Sequence, residues 1–298
     1  MKIAVATPMG HVGSAVAECL LDAGADVMLL SRHPDKLTRL VTRGAGVAEG
    51  SLDDEDYVVR ATRGAEALFW VTPPDFTSAD YRGFQKRVGC AAAEAIRVNR
   101  IRRIVNLSSV GAHLRSGGGP INGLHDVEQC LDHVATNIIH LRPGYFFENY
   151  LLQLQNIVSE GEIYLPVSGS RRVPMIATQD IARVASDRLV DTGWFGRSIR
   201  GLHGPADLTF DEAAAAMSGG LGRPVAHVRI DEGPAQKAMI GWGMSKSACD
   251  LMLEMYRGFE FGTLRPDEER SPETFTPTRL VDFAKEEMLP LIEELVVR

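Results

Sequence analysis

The first half of the chain alternates short aliphatic, β-branched runs with longer stretches in which apolar positions recur every three or four residues. That alternation marks βαβ units, whose strands lie side by side in a parallel sheet covered by helices on both faces. The runs predict strands over 2–6, 26–30, 46–49, 67–71, 103–107 and 137–141. Between the first two, Val12, Val16, Cys19, Leu20 and Ala23 fall at helical spacing, and Gly24 stands where a C-terminal cap belongs.

A second helix opens at Pro34, whose fixed φ suits a first turn, and stops before Gly44. Asp53, Asp54 and Glu55 supply the acidic first turn of a helix reaching Arg63, and a longer helix covers 79–99. Residues 108–123, with Ser116-Gly117-Gly118-Gly119-Pro120, read as a loop; a helix over 122–133 and another over 146–160 complete the pattern. Beyond Gly161 the rhythm loosens, with helices expected at 178–190, 209–219, 234–242, 246–257 and 278–296. The fold class is therefore α/β, a doubly wound parallel sheet of Rossmann type with a smaller, mostly helical C-terminal lobe. The division expected is a dinucleotide-binding domain over 1–160 and a substrate lobe over 161–298 that partly completes the main sheet.

Composition narrows the partners. A formal net charge of −7, with 39 acidic residues against 32 Lys and Arg, argues against broad phosphate-backbone binding, so nucleic acid is not expected. The basic residues are 26 Arg and only six Lys. Cys19, Cys90, Cys130 and Cys249 lie far apart and form no metal-binding spacing, so no metal is expected and the thiols read as buried and reduced. No window approaches the roughly 18 apolar residues of a membrane span, and Met1 runs directly into a strand pattern without a leader. The expectation is a cytoplasmic protein away from membranes, either monomer or homodimer.

Chemistry begins where the first strand ends. Thr7-Pro8-Met9-Gly10-His11-Val12-Gly13 joins that strand to the first helix, an order that presents backbone N–H groups and the positive helix end to a pyrophosphate. Gly10 permits close approach, Gly13 lets helix and strand pack, and Thr7, Met9, His11 and Val12 complete the candidate contacts. The second strand ends Leu29-Leu30-Ser31-Arg32, where an NAD-selecting fold places an acid for the ribose hydroxyls. Here Arg32, supported by Ser31 and Lys36, is suited to a 2′-phosphate instead, so NADP(H) is the cofactor expected.

These features carry a resemblance. The turn Gly10-His11-Val12-Gly13, the stretch Trp70-Val71-Thr72-Pro73-Pro74, residues 103–112, and Leu141-Arg142-Pro143-Gly144-Tyr145-Phe146-Phe147-Glu148-Asn149 resemble the NmrA-like, atypical short-chain dehydrogenase family. The likeness continues through Asp180-Ile181-Ala182 and Leu221-Gly222-Arg223-Pro224-Val225. It implies Val71, Thr72 and Pro73 beside the adenine ribose and pyrophosphate, and Ser51 and Leu52 beside the adenine. It also implies Leu107, Ser108 and Ser109 by the nicotinamide ribose, with Pro143, Gly144 and Tyr145 flanking the nicotinamide. Such families begin the turn with Gly, whereas this chain has Thr7 then Pro8; Thr avoids positive φ and Pro lacks an N–H, so an altered turn is expected.

Ordinary short-chain dehydrogenases pair a Tyr with a Lys four residues later, and no tyrosine here has that partner. On the helix where the pair belongs stands His125, with Glu128 one turn on to orient it, which makes His125 the candidate acid or base. His113 and Ser108 are weaker candidates. Phe146, Met239 and Trp242 are candidate substrate contacts, the last two from a segment rich in Met and aromatic residues that suits an apolar ligand. The reading that follows is an NADP(H)-dependent reductase acting on an apolar conjugated or aromatic acceptor such as a quinone or enone. Its alternatives are a non-catalytic NADP(H)-sensing regulator and an isomerase or dehydratase with bound cofactor.

Overall fold

The computed structural model describes residues 1–297. From the N-terminus come β1 (Lys2–Ala6), α1 (His11–Asp22), β2 (Asp26–Ser31), α2 (Thr38–Thr42), β3 (Gly46–Glu49), α3 (Glu55–Ala61), β4 (Ala67–Val71), α4 (Tyr81–Asn99), β5 (Arg103–Leu107), α5 (Pro120–Asp132) and β6 (Ile138–Pro143). Then follow β7 (Tyr145–Phe146), α6 (Leu154–Ser159), β8 (Glu162–Leu165), β9 (Arg172–Ile176), α7 (Thr178–Val190), β10 (Arg197–Leu202), β11 (Asp207–Thr209) and α8 (Phe210–Leu221). The chain closes with β12 (Ala226–Arg229), α9 (Glu232–Gly241), α10 (Lys246–Glu260), α11 (Leu280–Phe283) and α12 (Leu289–Val297).

Seven strands form one parallel sheet in the order β10-β6-β5-β4-β1-β2-β3. The order reverses between β1 and β4, which opens a crevice at the strand ends there, the place where open α/β sheets bind ligands. Period-two alternation divides the core. Ile3, Val5, Phe69 and Val105 face a layer containing α1 and α7, while Ala4, Ala6, Leu68, Trp70 and Ile104 face α3, α4 and α5. Alternate positions are thus buried on both faces, which is why the strands read as continuous apolar runs.

The seventh strand, β10, and the helix α7 both come from beyond residue 160 and join this sheet layer. A third core, built on Phe147, Tyr150, Met175, Phe210, Met217 and Phe283, holds the helical C-terminal region together. That region also contains small sheets: β9 pairs with β11 and β7, and β8 with β12.

Three local expectations are corrected. The helix foreseen over 146–160 is α-helical only at α6; Tyr145 and Phe146 pair with Met175 and Ile176, and a 3-10 stretch, Phe147–Gln153, intervenes. Backbone bonds spent on β9 are unavailable to a helix. The terminal helix is interrupted by a π turn at Ala284–Met288, against which Gly220 of α8 presses. Of the cysteines only Cys249 is buried; all four are free thiols, and packing of α4 on α5 brings Cys90 Sγ within 3.6 Å of Cys130 Sγ. Among the described residues no helix is long and apolar enough to cross a membrane, and no group of His, Cys, Asp and Glu has the arrangement of a metal site.

Candidate functional site

Parallel strands place all their C-terminal ends on one edge of the sheet, and the candidate residues fall along it. In spatial order the ends carry Pro143 and Gly144 (β6), Leu107–Ser109 (β5), Val71–Pro73 (β4), Thr7–Gly10 (β1), Ser31 and Arg32 (β2), and Ser51 and Leu52 (β3). The track is continuous because neighbouring strands end in register, Val71 opposite Leu107 and Leu107 opposite Leu141.

At its β1–β3 end lies a cavity of about 340 Å³ lined by Thr7, Met9, Gly10, Ser31, Arg32, Ser51, Leu52, Val71 and Pro73 from the expected set. Pro8, Leu30, His33, Gly50, Pro74 and Phe84 join them. Arg32 is exposed to the cavity and makes no ion pair among the described residues. Ser31 ties the wall together, its Oγ accepting from the His33 N–H at 3.0 Å and its carbonyl accepting from the Gly50 N–H at 3.0 Å. Behind the wall, Tyr57 of α3 donates its hydroxyl to the Ala48 carbonyl at 2.7 Å. Burial pushes the Tyr57 phenol up to about 12, and its ring lies against Gly50, where a side chain has no room. Lys36 is exposed and stands outside the lining.

The glycine turn departs from expectation in an informative way. Thr7 does adopt the left-handed region, φ 49°, and its carbonyl accepts the Gly10 N–H at 3.0 Å. The turn keeps a glycine-like path despite the β-branched residue, at a conformational cost. Gly13 is required by this path, since a Cβ there would lie 2.8 Å from the Thr7 carbonyl carbon. Gly10 caps α1 with no side-chain hydrogen bond, and an added Cβ would meet only Thr7 O at 3.5 Å, so the first turn of the helix has no side-chain cap. His11 is exposed at this turn, while Val12 is buried against the sheet.

At the other end the Ser108 N–H donates to the Leu141 carbonyl at 2.8 Å and the Val110 N–H to the Pro143 carbonyl at 2.9 Å, which brings the β5 and β6 ends together. Thr72 Oγ1 and Ser108 Oγ are buried along this track without a hydrogen-bond partner. Gly144 is pressed against the backbone of Pro174. The Tyr145 ring packs among Tyr150, Phe210 and Phe259, and burial pushes its phenol far above the ordinary value.

His125 is half-buried on α5, and its Nδ1 lies 2.8 Å from the carbonyl of Ala112, which assigns the proton to Nδ1 and leaves Nε2 open. Glu128 does not orient it. That carboxylate is taken bidentately by Arg142 at 2.6 and 3.0 Å, and Arg142 also holds Asp267 at 2.6 Å. The reason is register: Arg142 and Glu128 face each other across the β6–α5 contact, both almost fully buried, so they must pair. His113 lies 3.6 Å from Asp267. Met239 and Trp242 line a second cavity of about 260 Å³ with Tyr164, Leu165 and Tyr256, whereas Phe146 packs against the sheet core.

Residues 1–269 match the NmrA-like family. This chain belongs to that family. Among its relatives are a NAD(P)H azoreductase of Xenophilus azovorans, 31% identical over 249 residues with 83% of each chain covered. Another is the (4-alkanoyl-5-oxo-2,5-dihydrofuran-3-yl)methyl phosphate reductase of Streptomyces griseus, 32% identical over 241 residues and 80% of each chain. The fold matches an NADPH-dependent quinone oxidoreductase of Escherichia coli with a TM-score of 0.76 at 21% identity, covering 96% of this chain and 99% of that one.

Within this NmrA-like frame, some polar residues escaped the sequence reading. Glu148 is buried, its Oε1 accepting from the Thr178 N–H at 2.9 Å and from Thr178 Oγ1 at 2.6 Å, while Oε2 has no partner. Burial raises its carboxyl, with the two Thr178 hydrogen bonds and the neighbouring His11 pulling the other way. An acid directly after the apolar run Tyr145-Phe146-Phe147 was the available signal. The Arg142–Asp267 contact spans 125 residues and left no local trace.

Proposed function

We propose that this chain is an NADP(H)-dependent reductase that delivers a hydride to an apolar conjugated or aromatic acceptor such as a quinone or enone. The observation that carries the reading is Arg32, an unpaired guanidinium in the wall of the strand-edge cavity at the position where an NAD-selecting fold carries an acid. The residues present fit the cofactor: a helix N-terminus at Gly10 without a side-chain cap, a cation at the β2 end, and orphaned buried hydroxyls at Thr72 and Ser108.

In this reading Arg32 and Ser31 hold the 2′-phosphate, the first-turn N–H groups of α1 receive the pyrophosphate, and Ser51, Leu52, Val71 and Pro73 enclose the adenosine. Thr72 and Ser108 offer hydroxyls to the ribose rings, and the β5–β6 ends, Leu107–Ser109 and Pro143–Tyr145, position the nicotinamide. The bound dinucleotide supplies the hydride. His125 exchanges a proton at Nε2, the nitrogen left open by Ala112. No phenol substitutes for it: the Tyr145, Tyr150 and Tyr256 hydroxyls are all raised by burial, Tyr256 to about 12. Conjugated acceptors tolerate this weak acid provision because charge delocalises as the hydride arrives. Residues 1–160 act as the cofactor domain and the later lobe supplies the acceptor pocket, with Met239 and Trp242 in its wall. The name of the azoreductase agrees with reduction by a nicotinamide cofactor, and that of the dihydrofuranylmethyl phosphate relative with a reductase.

The test is NADPH oxidation against a panel of quinones, enones and azo compounds. Acceptor-dependent oxidation is expected; cofactor binding without it would make the protein a sensor instead. His125→Ala and His125→Asn are both expected to lower turnover about a hundred-fold with unchanged cofactor affinity. Asn keeps a donor for Ala112, so full activity in that variant would reduce His125 to a structural role.

A further inference from the structure

On the opposite edge of the sheet, at the N-terminal ends of β5, β6 and β10, lies a cavity of about 590 Å³. Four arginines line it, Arg97, Arg100, Arg102 and Arg103, together with Trp194 and Phe195, and no carboxylate does. In a chain whose net charge is −7, four guanidiniums on one cavity without an acid need a cause.

The C-terminus of α4 accounts for two of them. Arg97 sits in its last turn, paired with Glu94, and Arg100 caps it, and cations are favoured at that end of a helix dipole. Arg102 and Arg103 lie beyond the helix, and neither they nor Arg100 makes an ion pair among the described residues. Arg103 is the sharpest case. It is only 9% exposed, its buried Nε has no hydrogen-bond partner, and its Nη2 reaches only Met1 Sδ, at 2.9 Å. A guanidinium taken so far out of water without an anion is costly, and the unneutralised charge it places in the cavity wall favours an anion in the cavity.

The backbone and the aromatic residues agree with a ligand. Arg100 holds φ 54°, and with Thr7 it is one of two non-glycine residues in the left-handed region among the described residues. A glycine would hold this cap more cheaply, so the arginine side chain is what its conformational cost secures. Phe195 is 82% exposed beside the arginines, and Trp194 is fixed by donating its Nε1–H to the Arg188 carbonyl at 2.8 Å.

We propose that this cavity is a second ligand site, remote from the strand-edge cavity, for a small organic polyphosphate carrying a flat ring, the chemistry of a nucleoside polyphosphate. The guanidiniums take the phosphate oxygens through forked, charge-assisted bonds, and the ring stacks on Phe195.

Calorimetric titration of the full chain with ATP and with inorganic tripolyphosphate tests this, alongside Arg100→Gln/Arg102→Gln, Phe195→Ala and Arg32→Ala. The double substitution should weaken both probes at least about ten-fold, the loss expected for removing charge-assisted contacts. Phe195→Ala should weaken ATP several-fold and leave tripolyphosphate unchanged. Arg32→Ala and saturating NADPH should leave both affinities intact, which separates this site from the strand-edge cavity. The proposal is overturned if neither probe binds, if the double variant binds both as before, or if Arg32→Ala or NADPH abolishes ATP binding. A melting curve for each variant confirms that it is folded.

Discussion

Gly10 and Gly13 stand three residues apart in one turn, yet the structure gives them separate tasks. Gly13 is held by the protein itself, against the Thr7 carbonyl, whereas Gly10 has room for a Cβ on the protein side. Gly13→Ala should therefore lower Tm and weaken nucleotide binding together, while Gly10→Val should abolish binding with Tm nearly unchanged. Circular dichroism melts and calorimetry on both variants check this, and a Gly10→Val protein that still binds the dinucleotide would place the phosphates elsewhere. Glu148 offers a second residue-scale test. Burial raises its folded carboxyl above the ordinary 4.5, so between that value and the folded one the native state holds more proton than the unfolded chain. Its contribution is complete below about pH 4.5 and is lost as pH rises through the window. Glu148→Gln keeps an acceptor for Thr178 and cannot ionise, so its Tm relative to the parent should improve from pH 4 to pH 8. A pH-independent difference would count against a raised carboxyl.

Between elements, the contact of α4 with α5 rests on absent side chains. Gly89 faces Val127, with 2.9 Å from a hypothetical Cβ to Val127 Cγ2, and Gly123 lies against the buried Gln85 amide, whose Nε2–H donates to the Pro120 carbonyl at 3.1 Å. Gly123→Leu should overpack this seam and cost about 1–3 kcal/mol, a fall of several degrees in Tm. An unchanged Tm would mean that the helices separate freely. The elements also show what was legible beforehand. β1, β4 and β5 stood out because buried parallel strands are continuous apolar runs. β10 did not, since Arg197-Ser198-Ile199-Arg200 is an edge segment, largely exposed, defined by its pairing with β6. β7, at two residues, exists only through its bridge to β9. In the candidate site, the wall of the strand-edge cavity was legible because turn chemistry is local to Thr7–Gly13 and Ser31–Arg32. The partnership of Glu128 was not, because helical spacing suggested His125 while the buried Arg142 across the β6–α5 contact took the carboxylate.

Across the whole molecule, the sheet separates two edges with different chemistry, the proposed cofactor track at the C-terminal strand ends and the arginine cavity at the N-terminal ends. The C-terminal region is clamped onto the first: the Gly117 N–H donates to Glu254 of α10 at 2.8 Å, and Asp267 reaches Arg142 on β6. The first of these contacts ties the loop after β5 to α10. The central claim is that this NmrA-like chain selects NADP(H) through Arg32, and the most direct measurement is the Kd for NADPH and NADH in the parent protein and in Arg32→Ala. NADPH should bind the parent about ten- to a hundred-fold more tightly than NADH, the range for a charge-assisted phosphate contact, and Arg32→Ala should erase most of that difference by weakening NADPH alone. Equal affinities in the parent, or a preference for NADPH that survives the substitution, would contradict it.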